Sequence, residues 1–248
     1  MTEKRAAKTI RFAAVGDLHC TKSSAGTLRE LFAQAARDAD ALLLCGDLTD
    51  YGTAEEANVL VGELAAAAPM PVVAVLGNHD FESGTPGDVA EILSTAGVRM
   101  LDGEACEIHG VGLAGVKGFA GGFGRGALGA WGEGPIKQFV NEAIQEALKL
   151  ESALAKLRTR SRIALLHYAP VVGTVEGEPV EIYPFLGSSR LEDPLLRHPV
   201  DAVVHGHAHR GTAESRTVSG VPVYNVAKPL LQRLHPDRPA YRIVEVPA

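Results

Sequence analysis

The chain has 248 residues, 46% of them hydrophobic, and a formal net charge of -6, enough apolar material for one α/β domain with a full core. The acidic balance disfavours an electrostatic grip on duplex nucleic acid, and no apolar run approaches the roughly 18 residues of a membrane span. Cys20, Cys45 and Cys106 are odd in number and form no C-x-x-C, and the polar start Met1–Lys8 is followed by no apolar signal region; a reduced, cytoplasmic protein without a secretory signal is expected.

In chain order, Ile10–Val15 predicts a strand that stops at Gly16-Asp17-Leu18-His19. Thr27–Asp38 carries Leu28, Leu31, Phe32 and Ala35 at helical spacing. Ala41–Cys45 predicts a second strand, ending at Gly46-Asp47-Leu48-Thr49-Asp50. Thr53 and Glu56 form a capping-box pattern that opens a helix to about Ala67. The β-branched run Val72–Leu76 predicts a third strand, buried on both faces, which ends at Gly77-Asn78-His79-Asp80. A helix over Pro86–Ala96, closed by Gly97, completes a strand–helix alternation typical of a parallel sheet covered by helices.

From Arg99 to Val116 the pattern changes to short strands, including Cys106–Ile108 and Val111–Val116. Lys117–Gly134 is glycine-rich and reads as a solvated loop, although Phe119, Phe123 and Trp131 also suit a lid or an interface. Pro135 begins the longest helix, to about Leu157, with Ile136, Phe139, Val140, Ile144, Leu148 and Leu154 as its predicted apolar side. Ser161–Leu166 predicts a strand stopping at His167. The loop Val171–Ser189 reads as a pocket wall or a dimer contact, and Leu191–Arg197 as a short helix. Val200–Val204 predicts a strand that stops at His205-Gly206-His207-Ala208-His209; closing strands are expected over Val218–Val226 and Tyr241–Val246. With no repeat and no linker, one domain over 1–248 is expected, with insertions at about 117–134 and 171–189.

Five apolar strands thus end in candidate ligands: Asp17 and His19; Asp47; Asn78 and His79; His167; His207 and His209. Singly, an Asp there is usually a turn residue or an N-cap, and a His a surface or satisfied buried polar group. In open α/β sheets, however, ligands bind at the carboxyl ends of strands. Buried carboxylates and imidazoles crowded together are costly unless paired or coordinated. In extended backbone residues i and i+2 face the same side, which lets each of the pairs Asp17/His19 and His207/His209 face one site. The N/O donor set without thiolate suits manganese, iron or zinc. Asp17, His19, Asp47, Asn78, His167, His207 and His209 are too many for one ion and about right for two sharing a carboxylate, an arrangement that activates water and clamps a transferring phosphoryl group.

These motifs, Asp17-x-His19, Gly46-Asp47-x-x-Asp50, Gly77-Asn78-His79-Asp80, His167 and Gly206-His207-x-His209, in this order, resemble those of the calcineurin-like metallophosphoesterases. The resemblance implies an α/β, four-layer sandwich of two mixed β-sheets flanked by helices, with a dinuclear metal centre at strand ends. It implies one ion on Asp17, His19, Asp47 and His209, and another on Asp47, Asn78, His167 and His207, with Asp47 as the bridge. His79 would face the phosphate as leaving-group acid or donor, and Asp80 would orient His79. Asp50 occupies a family position often placed beside the ligands, and His205 is a partner of a ligand or a plain buried histidine. The implied reaction is hydrolysis of a phosphoester by a hydroxide bridging two ions. A phosphodiester, such as a cyclic or other small nucleotide ester, is the first substrate expectation, with a phosphomonoester, a phosphoprotein or nucleic acid as alternatives, and a silent binding module as the non-enzymatic one. Among Arg125, Arg190, Arg210 and Lys228, Arg210 is the leading substrate-anion candidate because it follows His209. A homo-oligomer is left open.

Overall fold

The computed structural model describes residues 9–248; the polar start Met1–Lys8 lies outside the described residues. Strands β1 (Thr9–Val15), β2 (Ala41–Cys45), β3 (Val72–Val75) and β4 (Arg99–Met100) alternate with helices α1 (Arg29–Asp38), α2 (Ala54–Leu64) and α3 (Pro86–Thr95). Then come β5 (Glu104–Ile108), β6 (Val111–Gly115), the long α4 (Gly134–Lys156) and β7 (Ser161–Leu165). The chain closes with α5 (Tyr183–Leu186), α6 (Glu192–Arg197), β8 (Ala202–His205), β9 (Glu214–Arg216), β10 (Pro222–Asn225), α7 (Lys228–Leu234) and β11 (Arg242–Pro247).

The strands form two mixed sheets, of order β11-β1-β2-β3-β4 and β5-β6-β7-β8-β10-β9. β11 is antiparallel to β1, and β5 and β9 are antiparallel to their neighbours, while the central strands are parallel. Because strand side chains alternate in direction, each sheet feeds two layers. Phe12, Leu43 and Val75 of the first sheet meet Leu113, Leu165 and Val204 of the second. Ala13, Leu42 and Leu44 face outward onto Phe32, Leu60 and Leu93 of the first three helices. On the other side Ala114, Ala164 and Val203 pack on Leu150, Leu154 and Leu195. The result is the helix–sheet–sheet–helix sandwich, and it brings the ends of both sets of parallel strands to one edge.

Local signals explain much of this. Thr53 and Glu56 do form the reciprocal capping box of α2. Three expectations needed correction. The buried face of α4 is Val140, Ala143, Glu146, Leu150, Ala153 and Leu154, whereas Ile136, Ile144 and Leu148 are exposed; small alanines let the helix approach the sheet, so side-chain size misled the periodicity. The predicted strand Val218–Val226 shrinks to β10, preceded by β9, an edge strand with exposed Glu214 and Arg216 and no apolar alternation. Helix α7, seven residues or about two turns, is too brief to leave a periodic signal. The glycine-rich stretch is only half solvated. Gly118, Ala120, Gly121 and Gly122 are buried, and the Gly121 and Gly122 N–H groups donate to Pro184 and Gly187 at 2.7 and 2.8 Å, so the two insertions hold each other.

Candidate metal centre

The ends of β1, β2 and β3 from one sheet, and of β7 and β8 from the other, deliver the polar side chains. Asp17, His19, Asp47 and His207 all have positive φ, between 46 and 72°, a conformation that costs energy for residues other than glycine and clusters at functional sites. The pairs Asp17/His19 and His207/His209 therefore reach the site through a left-handed kink and not through extended backbone. Each kinked turn is preceded by a glycine whose missing side chain the site requires. A Cβ on Gly77 would overlap the Asp47 amide and Oδ1, one on Gly46 the His167 ring, and one on Gly206 the Asp17 carboxylate. Gly77 matters here for close approach, since no positive φ is involved.

Of three groups of potential donors, two frame the centre, Asp17, His19 and His209, and Asp47, His167 and His207, and the third is His19, Asp50 and His79. His209 Nε2 lies 3.0 Å from Asp17 Oδ1 and 3.5 Å from His19 Nε2. His167 Nε2 lies 2.9 Å from Asn78 Oδ1 and 3.3 Å from Asp47 Oδ1. The other oxygen of Asp47, Oδ2, faces His19 Nε2 at 3.9 Å. Asp47 thus presents one oxygen to each group.

The outer ring nitrogens decide what these contacts mean. His167 Nδ1 sits 2.9 Å from the Cys45 carbonyl, and His19 Nδ1 sits 3.0 Å from Asp50 Oδ1. Each acceptor demands an N–H, so in the neutral tautomer Nε2 carries a lone pair. The His167 lone pair then faces two oxygen acceptors, Asn78 Oδ1 and Asp47 Oδ1, with no proton between them. Such a cluster repels itself unless a cation sits at its centre, and imidazoles aimed by an outer carbonyl or carboxylate are the usual metal-ligand arrangement. His207 Nε2 meets the Phe185 carbonyl at 3.1 Å, which leaves Nδ1 for the second group. Donor separations near 3 Å match neighbouring positions around an ion with bonds of about 2.0–2.2 Å. The residues fit first-row ions.

The electrostatics agree with a site prepared for positive charge. Burial raises the Asp17 carboxyl pKa, but the His209 hydrogen bond and the nearby His167, His209 and His207 bring it below its ordinary value. Burial lowers that of His19, outweighing Asp47 and Asp17. Burial also pushes His207 down to about 3, so its imidazole is neutral at physiological pH. His209 is raised by its bond to Asp17.

His79 belongs to the third group, its ring 4.6 Å from that of His19. Its Nδ1 is 2.8 Å from the Asp50 carbonyl and 3.7 Å from Asp50 Oδ1, and its side chain is partly exposed. Its backbone N–H donates to Asp47 Oδ1 at 2.8 Å. The expectation that Asp80 orients His79 is corrected: the fully buried Asp80 carboxylate accepts instead from Leu48 N, Thr49 N, Thr49 Oγ1 and Gly77 N at 2.6–3.2 Å. Its side chain turns inward to tie the Asp47 loop to the Asn78 loop. Asp50 takes the orienting place, for His79 through its carbonyl and for His19 through its carboxylate. His205 is fully buried between the Gly206 carbonyl and the Thr174 hydroxyl, both at 2.8 Å, and burial lowers it to about 4. Arg210 is exposed, its backbone N–H donating to Glu178; no hydrogen bond or ion pair joins its guanidinium to the cluster among the described residues. Lys117, passed over in the sequence because it sits among glycines, has its ammonium near Phe81, Phe119 and Tyr168.

The profile of the calcineurin-like phosphoesterase family matches residues 10–211. The chain belongs to this family. It is therefore a metal-dependent hydrolase of phosphoester bonds. No curated protein sequence matches the chain. Its fold is similar to that of the phosphopantetheinyl hydrolase of Mycobacterium tuberculosis, at 15% identity and a TM-score of 0.66, with 94% of this chain and 95% of that one covered. It is also similar to a putative 5'-nucleotidase from Staphylococcus aureus, at 18% identity, TM-score 0.54 and coverages of 88% and 48%. A purple acid phosphatase from yellow lupin seeds aligns at 14% identity, TM-score 0.53 and coverages of 82% and 38%. At these identities the likenesses establish the shared fold. Among the described residues no helix is long and apolar enough to cross a membrane.

Proposed function

We propose that this phosphoesterase is a dinuclear phosphodiesterase of small diesters, with a nucleotide ester, cyclic or open, as the substrate type. The observation that carries the two-ion reading is the Asp47 carboxylate, one oxygen toward His19 and the other toward His167. One ion would be held by Asp17, His19, Asp47 and His209, the other by Asp47, Asn78, His167 and His207. Manganese, iron and zinc all suit these donors. Bound there, such ions supply Lewis acidity, which lowers the pKa of water and neutralises phosphoryl charge.

The remaining work falls to the protein. With its Nδ1 turned to the Asp50 carbonyl, His79 has Nε2 left to meet the leaving oxygen as its general acid. The His79 N–H and the Asp80 clamp hold Asp47 in place. A cleft of about 240 Å³ runs beside the His79 turn, lined by Leu76, Phe81, Pro86 and Leu101 among others, and gives room for a second ester arm, which supports a diester over a monoester.

The test compares bis-p-nitrophenyl phosphate with p-nitrophenyl phosphate after reconstitution with each metal separately. Faster turnover of the diester is the expected result; preference for the monoester overturns the diester reading. Elemental analysis of Asp47→Ala should find both ions depleted, and two retained ions would refute the bridge.

A further inference from the structure

We propose that Lys117 receives an anionic group carried on the leaving-group arm of the substrate, so that the preferred substrates are phosphoesters whose departing alcohol bears a phosphate or carboxylate. The inference rests on the reading of His79 as leaving-group donor. Four observations carry it.

The first is position. Lys117 leaves β6 next to the end of β7, where its carbonyl accepts the N–H groups of His167 and Tyr168 at 3.0 and 3.1 Å. Its backbone is thus fastened to a residue of the metal centre. The second is the surroundings of the ammonium. Nζ lies 5.2 Å from the ring centre of Phe81, 5.0 Å from that of Phe119 and 5.3 Å from that of Tyr168, distances at which ring faces attract a cation. Phe81 closes the turn that holds His79, and the Tyr168 ring lies 4.5 Å from that of His207. The cage therefore shares its walls with the reaction centre.

The third is the missing counter-charge. Nζ makes one hydrogen bond, to the Gly118 carbonyl at 2.9 Å, out of the three an ammonium can donate. No carboxylate pairs with it among the described residues. Of the nearby acids, Glu146 accepts from Gly118 N and from Lys149, Asp102, which lines the same cleft, from Lys149, and the exposed Glu142 acts on the ammonium without a hydrogen bond to it. A desolvated cation held by π faces and one carbonyl is expensive, and an incoming anion relieves it. The fourth is access. Lys117 is only partly buried and lines the same cleft as Leu76 and Phe81, which flank the His79 turn on either side. An alcohol departing from His79 along that cleft passes over Phe81 and reaches Lys117. Ring faces below and an ammonium ahead suit an apolar or aromatic arm with a terminal negative charge.

The experiment measures kcat/KM for diphenyl phosphate and for bis(4-carboxyphenyl) phosphate, with wild type, Lys117→Met and Lys117→Arg loaded with the same metal, and reads the released alcohols by chromatography. Wild type should favour the carboxylated ester. Lys117→Met should lower the ratio of carboxylated to plain ester by about tenfold or more, chiefly through KM, the yield of one charge-assisted hydrogen bond. Lys117→Arg, which keeps the charge, should hold that ratio within about threefold of wild type. A wild type without preference, or a ratio unmoved in Lys117→Met, overturns the inference and leaves the diesterase reading standing; a purely structural lysine would lower both rates together. If only monoesters turn over, the diester reading fails, and the same ratio on phenyl and 4-carboxyphenyl phosphate still decides the role of Lys117.

Discussion

Replacing Asp80 by alanine separates two accounts of this carboxylate. Its four hydrogen bonds, 2.6–3.2 Å long, come from the backbone of Leu48, Thr49 and Gly77 and from the Thr49 hydroxyl. Those donors flank Asp47 on one loop and Asn78 on the other. The alanine variant strands them, and each buried donor without an acceptor costs about 1–3 kcal/mol. Such losses are not additive where loops relax or water enters, so the expected total is about 3–5 kcal/mol. That is a large share of the roughly 5–15 kcal/mol that stabilises a domain. Because the two loops carry the proposed ligands Asp47 and Asn78, metal content should fall along with stability. Urea unfolding of the metal-free protein measures the first effect, and elemental analysis after dialysis the second. A variant within about 1 kcal/mol of wild type, with both ions retained and only kcat lowered, would refute the clamp and restore a role for Asp80 in aiming His79.

Asp50→Ala should act the other way: metal content changes modestly while kcat falls about 10–100-fold as His19 loses its outer carboxylate, the backbone carbonyl that holds His79 being kept, read by steady-state kinetics beside elemental analysis. Gly77→Ala places a Cβ on the Asp47 amide and carboxylate; it should abolish two-ion binding, seen by calorimetric metal titration, and a variant that binds both ions normally would contradict the packing described. Glu63 tests pH linkage away from the site. Burial raises its carboxyl pKa, but the Gly26 and Leu28 N–H groups and Arg29 bring it below its ordinary value. Its stabilisation is present above the unfolded value near 4.5 and is lost as pH falls through the lower folded value. Glu63→Gln should cost about 1.5–3 kcal/mol at neutral pH and show a flatter loss of stability on acidification; an acid limb of the unfolding curve identical to wild type counts against the assignment.

Much of the architecture was legible because its signals are local. Short continuous apolar runs mark β1, β2, β3, β7 and β8, and a capping box marks α2. Glycines followed by Asp, Asn or His at the ends of those strands announce metal chemistry, since no other use of so many buried polar groups is cheap. Helix α4 shows the limit of this reasoning: its large apolar residues Ile136, Ile144 and Leu148 face solvent, while Ala143 and Glu146 face the core. Which face is buried depends on how close a neighbour comes, and the helix's own pattern does not contain that distance.

The sequence by itself determined the donor types, their order and the buried character of the strands, because composition and spacing are properties of short segments. Only the tertiary structure decided how those donors are divided and supported. Asp50 and Asp80 both lie near His79 in motif language, yet one aims it and the other turns into the core to join two loops 31 residues apart. Lys117 has no motif at all; it acquires its environment when Phe81, Phe119 and Tyr168, from separate segments, close around it. A hydrogen bond or a ring contact depends on sub-ångström placement of loops that meet only after the two sheets have packed, and that placement is not written in either segment alone.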